Sequence, residues 1–265
     1  SQVYVRSKGR ALDRAGCTSR TFELPADAPE ETVHELLERL NRDGEVDGIL
    51  VQLPLPLHLD SERILEAISP DKDVDGFHVS NVGRLWRDRP TFVPATPAGV
   101  IELLRRYEIE LAGRNAVIVG RSNVVGKPLA ALLLQQQCTV TLCHSRTRDL
   151  VAECRRADLL VAAVGRPALI GPEHVKRGAV VIDVGINRIS DPQQLAELLP
   201  HDEEKRQQLE SKGTVLVGDV DFARVAPRCA AITPVPKGIG PLTVAMLLVN
   251  TLAAARRLQA IEATS

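Results

Sequence analysis

Apolar runs and polar turns alternate regularly in the second half of the chain. Between Asn115 and Pro236, short runs rich in β-branched residues predict strands at AVIVG, TVTLC, LLVAAVG, AVVIDVG, TVLVGDV and AAITPVP. Helical stretches such as PLAALLLQQ and LVAECRRA lie between them. Because these runs are apolar at successive positions, both faces of the sheet should be buried, which is typical of parallel strands with helices on each side. The pattern predicts a doubly wound, Rossmann-like α/β domain.

The first half of the chain predicts a second α/β region. TFELP and DGILVQLPLP are predicted strands, and PEETVHELLERLNRDG and SERILEAI are predicted helices. TPAGVIELLRRY predicts a long helix that joins the two regions. The last helix, PLTVAMLLVNTLAAARRLQ, is so apolar that it must be covered by the first region or by another subunit. The predicted domains are therefore residues 1–97 with 239–265, and residues 98–238.

Composition narrows the class of protein. The 265 residues carry a net charge of −1 and only 3% aromatic residues, so neither a basic surface nor a set of stacking platforms for nucleic acid is indicated. We find no apolar run that approaches the length of a membrane span and no signal peptide. The five cysteines have neither a zinc spacing nor a disulfide framework. We expect reduced thiols in a cytoplasmic protein.

The turn after the first predicted Rossmann strand is a candidate phosphate site. VGRSNVVGKP does not have the G-x-G-x-x-G spacing, and its lysine is not followed by the Ser or Thr of a P-loop. A helix N-terminus after a strand still offers N–H groups to a phosphate. Ser145 and Arg146 follow the second strand, where an acidic residue would suit a free 2′-hydroxyl and Ser with Arg suits a 2′-phosphate. Arg121 adds a second cation. These residues predict NADP binding, and solvated loop cations are the alternative.

Three stretches at strand ends or turns are further candidates. VQLPLP places Gln52 at the carboxyl end of a strand, where α/β sheets gather ligands. PDKDVDGFH crowds Asp71, Asp73 and Asp75 into a turn, but without the closing glutamate of a calcium loop, so we predict no metal site. Hydrogen-bonding Asx residues explain Asp71, and His78 is expected to be structural. ITPVPKGIGPLT predicts a rigid loop before the last helix.

The chain begins with SQVYVRSKGR, in which Tyr4 and Lys8 share one helix face. Together with VQLPLP, PDKDVDGFH, GRSNVVGKP and TPVPKGIGP, in that order, this pair resembles the bifunctional methylenetetrahydrofolate dehydrogenase/methenyltetrahydrofolate cyclohydrolase (FolD) family. The likeness runs over the whole chain. It implies a cytoplasmic homodimer of one-carbon metabolism and purine biosynthesis. The implied reactions are NADP-dependent oxidation of 5,10-methylenetetrahydrofolate to 5,10-methenyltetrahydrofolate and hydrolysis of that product to 10-formyltetrahydrofolate.

The resemblance also implies roles for individual residues. Lys8 matches the lysine that polarises the one-carbon group or activates water, Gln52 matches the residue that orients this lysine, and Tyr4 packs against the folate. Asp75 matches the carboxylate that pairs with the amino-pyrimidine edge of the pterin. Residues 1–97 with 239–265 would bind folate, and residues 98–238 would bind NADP. Further implied substrate contacts are Val51, Leu53, Pro234, Val235, Pro236 and Gly238. Implied cofactor contacts are Gly120, Arg121, Ser122, Ser145, Arg146 and Ile186.

The chain departs from the family pattern in two ways. Members carry another strand and most of a helix ahead of the Tyr/Lys pair, so we expect this chain to be an N-terminally truncated copy. Lys237 stands where the family has the first glycine of a Pro-Gly-Gly loop, which is expected to impair the enzyme mildly. Two alternatives stay open: another NADP-dependent dehydrogenase with a different small substrate, and a folded paralogue without catalytic activity.

Overall fold

A computed structural model describes the backbone of residues 2–262 and the side chains of residues 8–260. The chain divides into two compact units. Unit 1 comprises Ser1–Ala98 and Thr243–Ser265, and unit 2 comprises Gly99–Leu242. The units therefore change at 98/99 and 242/243, whereas the predicted domains change at 97/98 and 238/239.

The regular elements have the following bounds. The strands are β1 (Asn115–Val119), β2 (Thr139–Cys143), β3 (Leu159–Ala162), β4 (Val180–Asp183), β5 (Asn187–Ile189), β6 (Val215–Val217) and β7 (Ala231–Ile232). The helices are α1 (Gln2–Arg14), α2 (Glu30–Arg42), α3 (Ser61–Glu66), α4 (Val79–Trp86), α5 (Ala95–Arg106), α6 (Gly126–Gln135), α7 (Leu150–Arg155), α8 (Pro192–Leu198), α9 (Glu203–Lys212), α10 (Phe222–Val225) and α11 (Ile239–Glu262). Short 3₁₀ turns cover Pro172–His174 and Ala226–Arg228.

Unit 2 is built on a five-stranded parallel sheet with the order β2-β1-β3-β4-β7. Successive residues of β1 enter different cores: Ala116 and Ile118 pack on one face of the sheet, and Val117 and Val119 on the other. Burial of both faces explains why the strands are apolar at successive positions. The predicted doubly wound α/β fold is confirmed.

The prediction that TVLVGDV belongs to the parallel sheet is wrong. β6, which lies in this stretch, pairs antiparallel with β5 in a separate two-stranded sheet. The intervening helices α8 and α9 were not predicted. Their leucines pack with Ile189, Val215 and Val217 in a small core of their own. This local core gives β6 a partner outside the main sheet.

Unit 1 contains the predicted helices but not the predicted strands. Residues 21–25 have no strand conformation, and 47–56 contribute one isolated bridge between Ile49 and Asp73. The Ile49 N–H donates to the Lys72 carbonyl at 2.7 Å. A strand needs a neighbour to pair its backbone groups. Within the described residues this segment has that neighbour at one position, so the β-branched pattern of the sequence does not become a ladder.

The apolar helix α11 packs on unit 1, as predicted. Leu247 and Ala254 are buried against Val74 and Phe92. The buried Asn250 side chain donates to the carbonyls of Val74 and Val93, both at 2.8 Å. By length and composition alone, Ile239–Ala260 would also suit a membrane span, so the expectation that no apolar run reaches this length is wrong. The buried asparagine and its two carbonyl partners are features of a core helix.

Candidate active site

A partly buried carboxyl group in unit 1 lies within electrostatic reach of a lysine. Asp75 follows the core residue Val74. Burial raises the pKa of Asp75 to about 6, the positive charge of Lys8 opposes this increase, and the negative charge of Asp73 adds to it. Lys8 lies on α1. Two residues that are 67 positions apart in the sequence therefore influence each other in the fold.

Gln52 offers an acceptor that has no hydrogen-bond partner in the described structure. Its side-chain nitrogen donates to the Leu53 carbonyl at 2.9 Å, and its Oε1 atom is buried. An unsatisfied buried acceptor costs about 1–3 kcal/mol, and such a group in a candidate site marks a place for a donor. Val51 and Leu53, on either side, are half-buried.

The other two aspartates of the predicted turn have structural partners. The Asp73 carboxylate accepts hydrogen bonds from the His78 N–H and the Asn81 side chain, both at 2.8 Å. Asp71 accepts from Arg257 on α11 at 2.9 Å, so its explanation as a turn-forming Asx residue is replaced by an ion pair. His78 is structural, as expected, because its ring nitrogen caps α4 through the Ser80 N–H. No group of side chains suited to a metal occurs among residues 8–260.

Sequence reasoning overlooked Lys72, which is buried. Its ammonium donates to the carbonyls of Leu40 and Asp43, at 3.1 and 2.7 Å, at the end of α2. Helix carbonyls at this end lack partners within the helix, and a cation there is favourable. The contact joins residues about thirty positions apart, so no local pattern signals it. The side chain of Tyr4, the remaining predicted folate contact of this unit, lies outside the described residues.

In unit 2, the turn after β1, where the phosphate site is predicted, has a close backbone contact that only glycine allows. Gly120 has φ +124°, and a Cβ atom there would collide with the Ala163 carbonyl. The Ser122 hydroxyl accepts from the N–H groups of Val125 and Gly126, at 3.1 and 3.4 Å, at the start of α6. The Arg121 side chain is exposed beside this helix N-terminus. The turn therefore places an exposed cation beside a helix N-terminus whose first N–H groups donate to Ser122.

The loop after β2 is held by its own hydrogen bonds. The His144 N–H donates to the Thr147 hydroxyl, and the His144 ring accepts from the Arg146 N–H, at 2.9 and 3.1 Å. The side chains of Ser145 and Arg146 are exposed. Asp149, the first acid after this strand, caps α7 by accepting from the Ala152 N–H at 2.9 Å. Ile186, beyond β4, is 56% exposed, which is unusual for a large apolar side chain.

Two buried aspartates at the carboxyl ends of the strands were missed as site residues. Asp183 accepts from the N–H groups of Gly185, Asp219 and Val220 at 2.9–3.0 Å. Burial raises the pKa of Asp183 to about 7, although these N–H groups oppose the shift. The only sequence signal is an acid at the end of each apolar run, in VVID and VLVGD.

Asp219, the second of these residues, ties together two neighbouring loops. Its carboxylate accepts from the N–H groups of Val164 and Gly165 at 2.7 and 2.9 Å, and from the Asn187 side chain at 2.9 Å. These donors follow β3 and belong to β5. The loops at this edge of the sheet are therefore held together by carboxylates that accept hydrogen bonds from them.

The loop before α11 is attached to the sheet at its first residue. The Thr233 hydroxyl accepts from the Asp183 N–H at 2.8 Å. Pro234 and Pro236 are exposed, and Val235 and Gly238 are partly buried. Lys237 has φ +79°, which is a conformation that favours glycine. The departure from the family pattern therefore coincides with backbone strain.

The geometry defines a class of protein: a two-unit α/β enzyme with a Rossmann-type nucleotide-binding unit and a second unit that carries a lysine near a partly buried acid. A family model described as tetrahydrofolate dehydrogenase/cyclohydrolase, catalytic domain, matches residues 1–75, and one described as the NAD(P)-binding domain of the same family matches residues 94–259. The bifunctional protein FolD 2 of Pseudomonas putida is 55% identical over 254 residues, which cover 96% of this chain and 78% of that protein. The chain therefore belongs to the tetrahydrofolate dehydrogenase/cyclohydrolase family. It is a bifunctional enzyme of tetrahydrofolate one-carbon chemistry.

Two solved structures are similar over nearly the whole chain. The bifunctional FolD of Campylobacter jejuni has a TM-score of 0.86 and 43% identity, covering 97% of this chain and 83% of that one. The Trypanosoma brucei enzyme, solved with NADP and an inhibitor, has a TM-score of 0.86 and 41% identity, with coverage of 97% and 82%. The fold of both units is thus that of the family.

Proposed function

We propose that this enzyme oxidises 5,10-methylenetetrahydrofolate with NADP, in preference to NAD, and hydrolyses the methenyl product to 10-formyltetrahydrofolate. We also propose that it acts as a cytoplasmic homodimer that supplies purine biosynthesis. Residues 1–97 with 239–265 would bind the folate, and residues 98–238 would bind the cofactor. The observation that carries the proposal is the Lys8 charge near the partly buried Asp75 carboxyl in a unit that also holds the unpartnered acceptor of Gln52.

Asp75 is the group that would recognise the pterin. Its pKa of about 6 leaves it ionised above neutral pH, and its carboxylate accepts no hydrogen bond from the described residues. The amino-pyrimidine edge of a pterin presents two N–H donors, which match the two oxygens of one carboxylate. Recognition would therefore exchange the unfavourable burial of a bare carboxylate for two charge-assisted hydrogen bonds.

Lys8 would act at the one-carbon centre. In the hydrolysis, the oxygen of a water molecule bonds to the methenyl carbon and the water gives up a proton. One of the two carbon–nitrogen bonds then breaks, the remaining hydroxyl loses its proton to become the formyl carbonyl, and the freed nitrogen gains a proton, so that one proton is released overall. An amine held near this carbon can take that proton or stabilise the charge that develops. Gln52 Oε1 would accept an N–H of Lys8 and so orient it, and Tyr4, one turn away on α1, would pack against the folate.

The residues of unit 2 fit a dinucleotide with a 2′-phosphate. The tight turn at Gly120, where a side chain would collide with the Ala163 carbonyl, leads to the start of α6, where a pyrophosphate would bind and where Ser122 holds the helix cap. Arg121, Ser145 and Arg146 are exposed, and the acid that could select a 2′-hydroxyl, Asp149, is committed to α7. The exposed Ile186 would contact the cofactor's ring. The bound nicotinamide supplies the hydride acceptor, and the protein contributes alignment.

The proposal is tested by measuring both reactions with the purified chain. Reduction of the nicotinamide reports the dehydrogenase, and loss of methenyl absorbance reports the cyclohydrolase. We expect both activities, with a higher kcat/KM for NADP than for NAD. A preference for NAD would overturn the role of Arg121, Ser145 and Arg146. Cofactor binding without turnover of methylenetetrahydrofolate would favour a dehydrogenase of another substrate or a non-catalytic paralogue.

A further inference from the structure

A lysine on α9 joins the two-stranded sheet to the loop before α11. The Lys205 ammonium donates to the Leu216 carbonyl on β6 and to the Val235 carbonyl, both at 2.8 Å. Val235 lies in the segment Pro234–Gly238, here called the proline loop. Lys205 therefore donates to the proline loop from outside the loop. The contact spans thirty residues of sequence.

The position of Lys205 is fixed by the local core. Leu209, one turn later on α9, is buried with Val215 and Val217 of β6. The helix begins with the Asp202 carboxylate accepting from the Lys205 N–H at 3.0 Å. The lysine stem is therefore held against the sheet, and its head group donates to the Leu216 and Val235 carbonyls.

The electrostatic surroundings suit a cation at this point. Burial lowers the pKa of Lys205, and the carboxylates of Asp202, Glu204 and Asp183 oppose the decrease. Asp183 also donates its N–H to Thr233, the residue before the proline loop. The loop thus has two attachments, one through Thr233 to the main sheet and one through Val235 to α9.

We infer that Lys205 is a positioning residue that holds the proline loop in the shape that receives the folate substrate. This inference rests on the proposed function and on the family resemblance, which implies that Pro234, Val235, Pro236 and Gly238 contact the substrate even though they belong to the predicted cofactor domain. The helix α9, which packs with α8 in the small core, would then place this lysine beside the loop. Lys205 would act on substrate affinity through the Val235 carbonyl and would not touch the reacting atoms.

The test replaces Lys205 by Met, which keeps the stem and removes the donors. Loss of a charge-assisted hydrogen bond should raise the KM for methylenetetrahydrofolate roughly tenfold in the dehydrogenase assay. The KM for NADP and kcat should change less than about threefold, and hydrogen exchange at the amides of Val235, Lys237 and Gly238 should accelerate. Lys205→Arg keeps a cation with several donors and should recover most of the affinity.

Lys212→Met is the matched control, because Lys212 is exposed at the end of the same helix. It should leave every parameter at the wild-type value. If Lys205→Met does not fold, Lys205→Gln provides a second variant, since its shorter amide still caps one carbonyl but does not join both. Either variant should raise the folate KM; a parallel loss of kcat and NADP affinity instead would show a purely structural lysine and overturn the inference.

A second substitution separates the inference from the proposed function. Gly238→Ala disturbs the loop directly, because a Cβ atom there would lie 2.5 Å from the Pro234 carbonyl oxygen. If Gly238→Ala raises the folate KM and Lys205→Met does not, the loop binds substrate and the inference about Lys205 is wrong. If neither variant changes the folate KM, the assignment of the loop to the substrate fails, and the inference fails with it.

Discussion

Asp75 of unit 1, which is partly buried, and Asp183 of unit 2, which is buried, both have raised pKa values, about 6 and about 7, and loss of solvent is the main cause in each case. Their partners differ. Three backbone N–H groups donate to Asp183. Asp75 accepts no hydrogen bond from the described residues and has the charge of Lys8 nearby. A buried acid with filled lone pairs holds loops together, whereas one with open lone pairs beside a cation is available to a ligand.

The largest effect should follow from removing the cation. Lys8→Met keeps the length of the side chain and the helix propensity of the position. We expect methenyl hydrolysis to fall by roughly 100-fold or more, because general acid–base groups contribute about that factor. Dehydrogenase turnover should survive in part, since hydride transfer depends mainly on the alignment of two rings. The measurement is kcat/KM for each reaction, together with NADP affinity, which should not change.

Arg10→Met is the control for this variant, because Arg10 is an exposed cation on the same helix. It should leave both activities unchanged. Wild-type hydrolysis by Lys8→Met would make Lys8 an ordinary solvated helix lysine and would remove the catalytic anchor of the site.

The next effect contrasts the two acids by the same change. Asp75→Asn should lower kcat/KM of both reactions roughly tenfold or more, because a charge-assisted hydrogen bond to the substrate is lost. The variant should also be more stable. The folded-state pKa of about 6 lies above the usual aspartate value of 3.8, so the ionised group destabilises the folded state above pH 6. Removing the charge should raise the free energy of unfolding by about 1–3 kcal/mol at pH 6.5, measured in urea.

Asp183→Asn should gain less stability than Asp75→Asn. Its folded-state pKa of about 7 also lies above the usual aspartate value of 3.8, so the neutral amide relieves a comparable penalty. The new amide nitrogen, however, would face the Val220 N–H, which now donates to Oδ2 at 3.0 Å. An unsatisfied buried donor costs about 1–3 kcal/mol, which offsets the gain. A gain as large as that of Asp75→Asn would abolish the distinction between the acids.

The pH dependence of folate affinity should be smaller and should have a defined direction. If the Asp75 carboxylate binds the pterin, the KM for methylenetetrahydrofolate should rise as the pH falls through about 6, by up to about tenfold per unit. The contribution of Asp75 to stability runs the other way, because the folded state binds the proton more tightly and gains stability as the pH falls toward 3.8. Asp75→Asn should flatten the KM profile. A wild-type KM that is constant from pH 5 to pH 8 would contradict the role of Asp75.

The same contrast explains how much the sequence alone could predict. The parallel sheet was predictable, because residues such as Val117 and Ile118 are buried on opposite faces and leave a continuous apolar run. The separate sheet of β5 and β6 was not, since Val215 and Val217 carry the same pattern and only their packing on α8 and α9 decides their partner. The failed strand at residues 21–25 has a similar cause: a pattern does not provide a neighbouring strand.

The site residues also divide into those that a sequence motif reveals and those that only the folded contacts reveal. Gln52 and Asp75 were identified through motifs whose order matched a known family, not through any property of the single residue. Asp183, Asp219 and Lys205 were missed because the role of each depends on at least one contact with a backbone group 30 or more residues away. An isolated acid after an apolar strand is common at this edge of α/β sheets, so its sequence signal does not distinguish a structural from a ligand-binding carboxylate.

The smallest effect concerns the proline loop, where the local strain is visible. Lys237 has φ +79°, and a non-glycine residue in this region costs about 1 kcal/mol or slightly more. Lys237→Gly should therefore raise the free energy of unfolding by about that amount, measured in urea, and should modestly increase kcat/KM for the folate substrate. Lys237→Ala is the control: it removes the ammonium but keeps the strain, so it should gain neither. A clear loss of folate affinity in both variants would show that the ammonium binds the substrate's glutamate carboxylates, and that this contact outweighs the strain it imposes on the loop.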